Sequence, residues 1–243
     1  MNYRTRIRVY LVLIAAGLVV VGWLYWDTYR YEHVLSGGSP QKYSLYVPPQ
    51  CLGDRICPVF VFVHGTGGSG RDVIKGWRPY ADEEGFVLVC PTFQLGYQTL
   101  DGGEDEALLA ILDEVAQHVP IASKAFVSGF SGGAQFAHRF AFAHPDRTQA
   151  VAAHSAGWYD PPPAGARQVP FLVTVGLNDT RRIEWARWFV ASLEREGYDV
   201  TFAEIVGVGH SLSEQAIQET LTLFRRLNNG PVNRDSQHLA PNG

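Results

Sequence analysis

Residues 125–140 read AFVSGFSGGAQFAHRF, and this stretch leaves the chain few folds to choose from. A β-branched and aromatic run enters a serine hemmed in by glycines, and a segment of helical period follows without a spacer. A chain that turns from strand to helix at one residue strains its backbone there and leaves no room for neighbouring side chains. Gly129, Gly132 and Gly133 meet that demand. Such a turn belongs to a strand whose helix covers the sheet, which is the building block of a parallel α/β architecture.

The rest of the chain repeats the alternation. Strands are predicted over 43–47, 59–64, 86–90, 125–130, 150–154, 171–175 and 200–205, several of them apolar on both faces as buried parallel strands must be. Helices are predicted over 77–84, 104–119, 132–144, 184–196 and 213–227. The second is the most regular. Leu108, Leu112, Val115 and Val119 share a face, Glu104, Asp105 and Glu106 occupy the first turn, and Pro120 lies just past the end. With 243 residues and 46% hydrophobic content, one domain over 43–228 is expected, with helices on both faces of a mostly parallel sheet. Connections are short, so little or no lid domain is expected. The tail 229–243 is too polar to pack and is expected to be disordered.

The N-terminus reads differently. Arg4, Arg6 and Arg8 precede an uncharged apolar run over 9–26, long enough to cross a bilayer as a helix. The run ends in bulky aromatics rather than a small-residue cleavage site, so residues 1–30 are expected to be an uncleaved signal anchor, with 31–42 as a linker. A cleaved signal and a buried helix are the alternatives. The arginine bias places the N-terminus in the cytoplasm and the remainder outside, periplasmic or at the cell surface, with Trp23, Tyr25, Trp26, Tyr29 and Tyr31 at the far interface. Cys51 and Cys57 are spaced to close a small disulfide in an oxidising compartment, leaving Cys90 as a buried thiol. Two cysteines without a second pair make a poor zinc site, and no metal or other cofactor is expected. A net charge of −4 without a basic stripe argues against a nucleic-acid partner. Oligomeric state is left open.

The chemistry gathers around Ser131. Gly129, Ser131 and Gly133 form the G-x-S-x-G pattern that exposes a nucleophilic hydroxyl at the end of a strand. A serine needs a base and an orienting carboxylate, expected in the order serine, acid, histidine. His210, on a glycine-rich loop after the last strand, is the candidate base; His138 and His144 lie on the helix after the turn, and His154 ends a strand. Asp179, at the carboxyl end of the preceding strand, is the candidate acid, with Asp160 as the alternative. The earlier cluster VFVHGTGGSG lacks the spacing of either phosphate-binding glycine loop.

These segments resemble one family in order. YSLYVPP, VFVHGTGGSG, GWRPYADEEGFVLVCP, LLAILDEVA, FVSGFSGGA and GVGH are similar to α/β-hydrolases of the polyhydroxybutyrate depolymerase and feruloyl esterase (esterase D-like) group, across most of 43–227. The later LEREGYDVTFAEIVGVGHS is also similar to dienelactone hydrolases. The chain departs from the group at Gly132, where a polar residue is common, and at Ser211 and Leu212, where an aromatic is common. The resemblance implies an α/β-hydrolase fold and hydrolysis of carboxylic esters through an acyl-enzyme, with an ester substrate that is short-chain, aromatic or of the hydroxyalkanoate type. It implies an oxyanion hole from the amides of Thr66 and Gly132, with Gly67 in reserve. Phe93, Tyr97, Trp158 and Tyr159 are candidate substrate contacts on loops at the same sheet edge. A catalytically silent binding module, and acyl transfer or peptide hydrolysis on the same residues, are the competing functions.

Overall fold

The computed structural model describes residues 13–14, 17–19, 31–36 and 41–228. Most of the apolar run over 9–26, and the whole tail over 229–243, lie outside the described residues. Leu13, Ile14, Gly17, Leu18 and Val19 are helical, and among the described residues no helix is long and apolar enough to cross a membrane.

Among the described residues eight strands form one sheet: β1 (Glu32–Val34), β2 (Lys42–Tyr46), β3 (Cys57–Val63), β4 (Val87–Thr92), β5 (Ile121–Phe130), β6 (Thr148–His154), β7 (Phe171–Gly176) and β8 (Val200–Ile205), in the order β1-β2-β4-β3-β5-β6-β7-β8. β2 runs antiparallel to its neighbours β1 and β4, and β3 through β8 are parallel. The helices that cover it are α1 (Gly70–Glu84), α2 (Glu104–His118), α3 (Gly132–Ala143), α4 (Ile183–Arg195) and α5 (Glu214–Asn228). From β3 the chain first steps outward to β4, then returns to the other side as β5. Strand order therefore reverses at β3, and the crevice above the carboxyl ends of β3 and β5 is where such sheets place their sites.

The two faces of the sheet are filled differently. Val59, Val61, Val63, Val127 and Val151 point toward α2, α3 and α4, whereas Phe60, Phe62, Phe86 and Phe126 point toward α1 and α5. On the second face Phe60 stacks on Phe86 and Phe126 at 4.8 and 5.0 Å between centroids, and Trp77 of α1 lies 4.9 Å from Phe60. On the central strands β3 and β5, alternation thus sends valines to one face and phenylalanines to the other, with roughly 2 kcal/mol of burial per large side chain on either face.

Three expectations are corrected. The linker over 31–42 is in part a strand, because Glu32–Val34 pairs with Lys42–Ser44 and the Lys42 ammonium lies 3.3 Å from Glu32. The helix expected over 77–84 begins at Gly70 instead: the Ser69 hydroxyl caps it by accepting the Asp72 N–H. Gly70 itself is dictated by space, since a Cβ there would lie 1.9 Å from the Cys90 carbonyl oxygen. Third, β5 extends back to Ile121, where Cys57 of β3 pairs with it. Cys51 and Cys57 are joined in a disulfide, and Cys90 is a free, buried thiol. Between β6 and β7 the chain crosses over through residues 155–170 with only a short 3-10 turn, Ala164–Ala166. No lid stands over the site among the described residues.

Candidate active site

Ser131 sits at the junction of β5 and α3 with φ 57° and ψ −113°, a conformation that a serine adopts only when its surroundings impose it. Its N–H donates to the His154 carbonyl at 2.8 Å, and its own carbonyl accepts from Ala134 and Gln135 as α3 begins. The flanking glycines are steric necessities. A Cβ on Gly129 would lie 2.3 Å from the Gly133 carbonyl, and one on Gly133 would lie 2.0 Å from the Val63 carbonyl oxygen.

His210, on the loop between β8 and α5, places Nε2 at 3.0 Å from Ser131 Oγ and Nδ1 at 2.7 Å from Asp179 Oδ2. A carboxylate only accepts, so Nδ1 carries the proton and the Nε2 lone pair faces the serine hydroxyl. Asp179 is 4% exposed, and its other oxygen receives Arg182 Nη1 at 3.2 Å, so the buried carboxylate has a partner at each oxygen. The imidazole remains 31% exposed, open to a proton-carrying alcohol or water. Its ring lies against Phe130, 4.7 Å between centroids, which limits its rotation.

Beside the serine, the loop after β3 is held from behind. His64 Nδ1 donates to the Gly65 carbonyl at 2.7 Å, and Gly68 N–H reaches the same oxygen at 2.9 Å. His64 Nε2 accepts the Phe93 N–H at 3.1 Å, which assigns the ring its neutral form; burial also lowers its pKa. Because a trans peptide points its carbonyl and N–H in opposite directions, fixing the Gly65 oxygen turns the Thr66 amide the other way. Gly65 packs against Ser131, and a Cβ on Gly65 would lie 3.7 Å from Ser131 Cβ. The Gly132 amide is the first of α3 and has no intrahelical acceptor. Thr66 and Gly132 therefore adjoin the serine, while Gly67 lies one step out at φ +81°. The Thr66 hydroxyl accepts from Gln98 Nε2 at 2.8 Å. A Cβ on Gly132 would approach Thr66 Oγ1 to 2.5 Å and the Tyr97 hydroxyl to 2.8 Å, which explains why no polar side chain stands there.

The candidate substrate contacts divide. Trp158 is 47% exposed on the loop leaving β6, its ring 4.1 Å from that of Trp185. Phe93, Tyr97 and Tyr159 do not line a groove, because all three are buried in the core. Tyr97 turns inward to donate to the His64 carbonyl, Phe93 packs on Phe136, and Tyr159 stacks on Phe189. The rival acid and bases also have other partners. Asp160 forms a two-point ion pair with Arg139, His138 takes the Asp160 N–H and donates to Ala134 O, and His144 pairs with Asp105. Phe130, Arg182 and Gln98 support the site without a motif of their own; for His64, its place at the strand end beside Gly65 is the sequence signal.

The sequence matches no family model and no curated protein. Solved structures match it closely in shape. A poly(3-hydroxybutyrate) depolymerase, LpqC, from Bordetella parapertussis superposes with TM-score 0.66 at 19% identity, over 82% of this chain and 91% of that one. The chain has the α/β-hydrolase fold. An S-formylglutathione hydrolase from Agrobacterium tumefaciens gives TM-score 0.66 at 18% identity, over 82% and 93% of the two chains. A ferulic acid esterase from Anaeromyces mucronatus gives 0.65 at 16%, over 79% and 88%.

Proposed function

We propose that the chain is a serine hydrolase of carboxylic esters that works through an acyl-enzyme. The observation that carries this is the continuous arrangement Ser131 Oγ, His210 and Asp179, at 3.0 and 2.7 Å, on a strained turn at the start of a helix. Ser131 Oγ attacks the ester carbonyl while its proton passes to His210 Nε2. Asp179 holds the ring and stabilises the imidazolium. The amides of Thr66 and Gly132 receive the developing oxyanion, with the α3 dipole behind them. Nε2 then gives its proton to the departing alcohol, and water, deprotonated at the same nitrogen, releases the acid and restores the serine. Every proton is accounted for within these groups. Solved neighbours that are esterases and a depolymerase support the same reaction class.

With no lid among the described residues, the exposed rim suits small or extended esters, of short-chain, aromatic or hydroxyalkanoate type. The domain is tethered to a membrane through the apolar run over 9–26 and works outside the cytoplasm; the run's flanking arginines and the Cys51–Cys57 disulfide support this placement.

The test is hydrolysis of p-nitrophenyl esters of increasing acyl length by the full chain in mild detergent, beside Ser131→Ala. Turnover falling with acyl length and lost in the variant is the expected result. A folded chain without turnover on any ester overturns the reading and leaves a binding module on a hydrolase scaffold.

A further inference from the structure

His154 is 1% exposed and takes no part in proton transfer, yet three elements that carry the site meet at its ring. Nδ1 lies 2.8 Å from Thr174 Oγ1 on β7, the strand that leads to Asp179. Nε2 lies 3.2 Å from Ser128 Oγ on β5, just ahead of Ser131, and 3.2 Å from Thr220 Oγ1 on α5, the helix that follows His210. The His154 carbonyl is also the acceptor for the Ser131 N–H.

The proton positions follow from the partners. Thr220 Oγ1 donates its only hydrogen to the Ala216 carbonyl at 2.8 Å, so toward the ring it can only accept. Nε2 therefore carries the hydrogen, and Nδ1 accepts from the Thr174 hydroxyl. Among the described residues no carboxylate touches the ring.

The backbone ladders already set the spacing of β5, β6 and β7. No ladder reaches α5, which lies on the face of the sheet and carries the His210 loop at its N-terminal end. Gln149 Nε2 to Asn228 Oδ1, at 3.1 Å, ties the far end of α5 to β6; His154 to Thr220 ties the middle. We infer that His154 is a positioning residue: as a neutral strut it sets where α5 stands against β5 and β7, and so the distance between His210 Nε2 and Ser131 Oγ. This rests on the esterase reading above. Misplacement of a catalytic group by a fraction of an ångström slows the chemical step and leaves binding of a small ester unchanged.

The experiment compares Thr220→Val and His154→Asn with the wild-type full chain, and with Thr220→Ser, which keeps the hydroxyl. kcat and KM for p-nitrophenyl acetate are measured at 25 °C, together with thermal unfolding. Thr220→Val is expected to lower kcat about tenfold with KM within about twofold, and Thr220→Ser to retain wild-type kcat. His154→Asn keeps an acceptor for Thr174 and loses the Nε2 donor, so it should resemble Thr220→Val. Variants that melt earlier but turn over at the wild-type kcat while folded overturn the inference and leave His154 a stabilising core residue. Should His154→Asn not fold, Thr220→Val beside Thr220→Ser decides alone. A folded wild-type chain with no turnover refutes the esterase reading itself, a result the variants cannot mimic.

Discussion

Two imidazoles, His210 and His154, show how one side chain serves two ends in neighbouring layers of this protein. Both rings have partners at each nitrogen. His210 pairs with a buried carboxylate and a serine hydroxyl and is open to solvent, whereas His154 is enclosed by three hydroxyls. The first can accept a proton because Asp179 stabilises the resulting cation. The second cannot: burial takes its pKa down to about 3. Environment, not residue type, separates a base from a strut.

Substitution breaks the comparison most sharply at His210 and its partners. His210→Ala should lower kcat about 10⁶-fold and leave the melting temperature near wild-type, because the ring is partly exposed. Steady-state kinetics and a melting curve on one preparation check this, and a loss confined to stability would contradict it. Asp179→Asn should cost about 10⁴-fold, since the amide favours the wrong tautomer of His210. Phe130→Ala removes the ring that limits rotation of His210, and a loss of about tenfold in kcat is expected. No change in that variant would show that Asp179 alone fixes the imidazole.

The buried imidazoles answer to pH. His138 and His154 both stand at about 3, and His64 is also lowered, burial being the main cause in each. Unfolded, each titrates near 6.5, so the unfolded chain takes up protons that the folded chain refuses. For His138 and His154 the contribution to stability is complete above pH 6.5 and is lost as pH falls toward 3, and His64 acts in the same direction. Urea unfolding between about pH 7 and 5 should show a falling midpoint, shallower in His154→Asn. A flat profile would contradict the burial assigned to these rings.

The fold was legible where periodicity and glycine placement act alone. Apolar runs mark the strands from β3 on, valine and phenylalanine in β3 and β5 and alanine in β6, and the serine turn could hardly be anything else once Gly129 and Gly133 stand beside it. Pattern was silent where tertiary contacts decide. Strand β1 is three residues of mixed polarity whose advantage is a free edge to pair with. The first half of α1 was hidden by Gly70, Gly76 and Pro79, although Ser69 and Asp72 form a capping pair. Tyr97 and Tyr159 read as rim residues because loops usually face solvent. Tyr97 instead fills the space under the loop after β3, and Tyr159 folds back onto α4. Ser131, Asp179 and His210 were readable as residues in chain order; Arg182 and Phe130, which touch them, carry no motif of their own.

The most direct measurement is fluorophosphonate labelling of the intact chain, mapped by mass spectrometry. The account predicts one label, on Ser131, absent from Ser131→Ala and strongly slowed in His210→Ala. Failure of the folded chain to label, or a label on another residue, would contradict it.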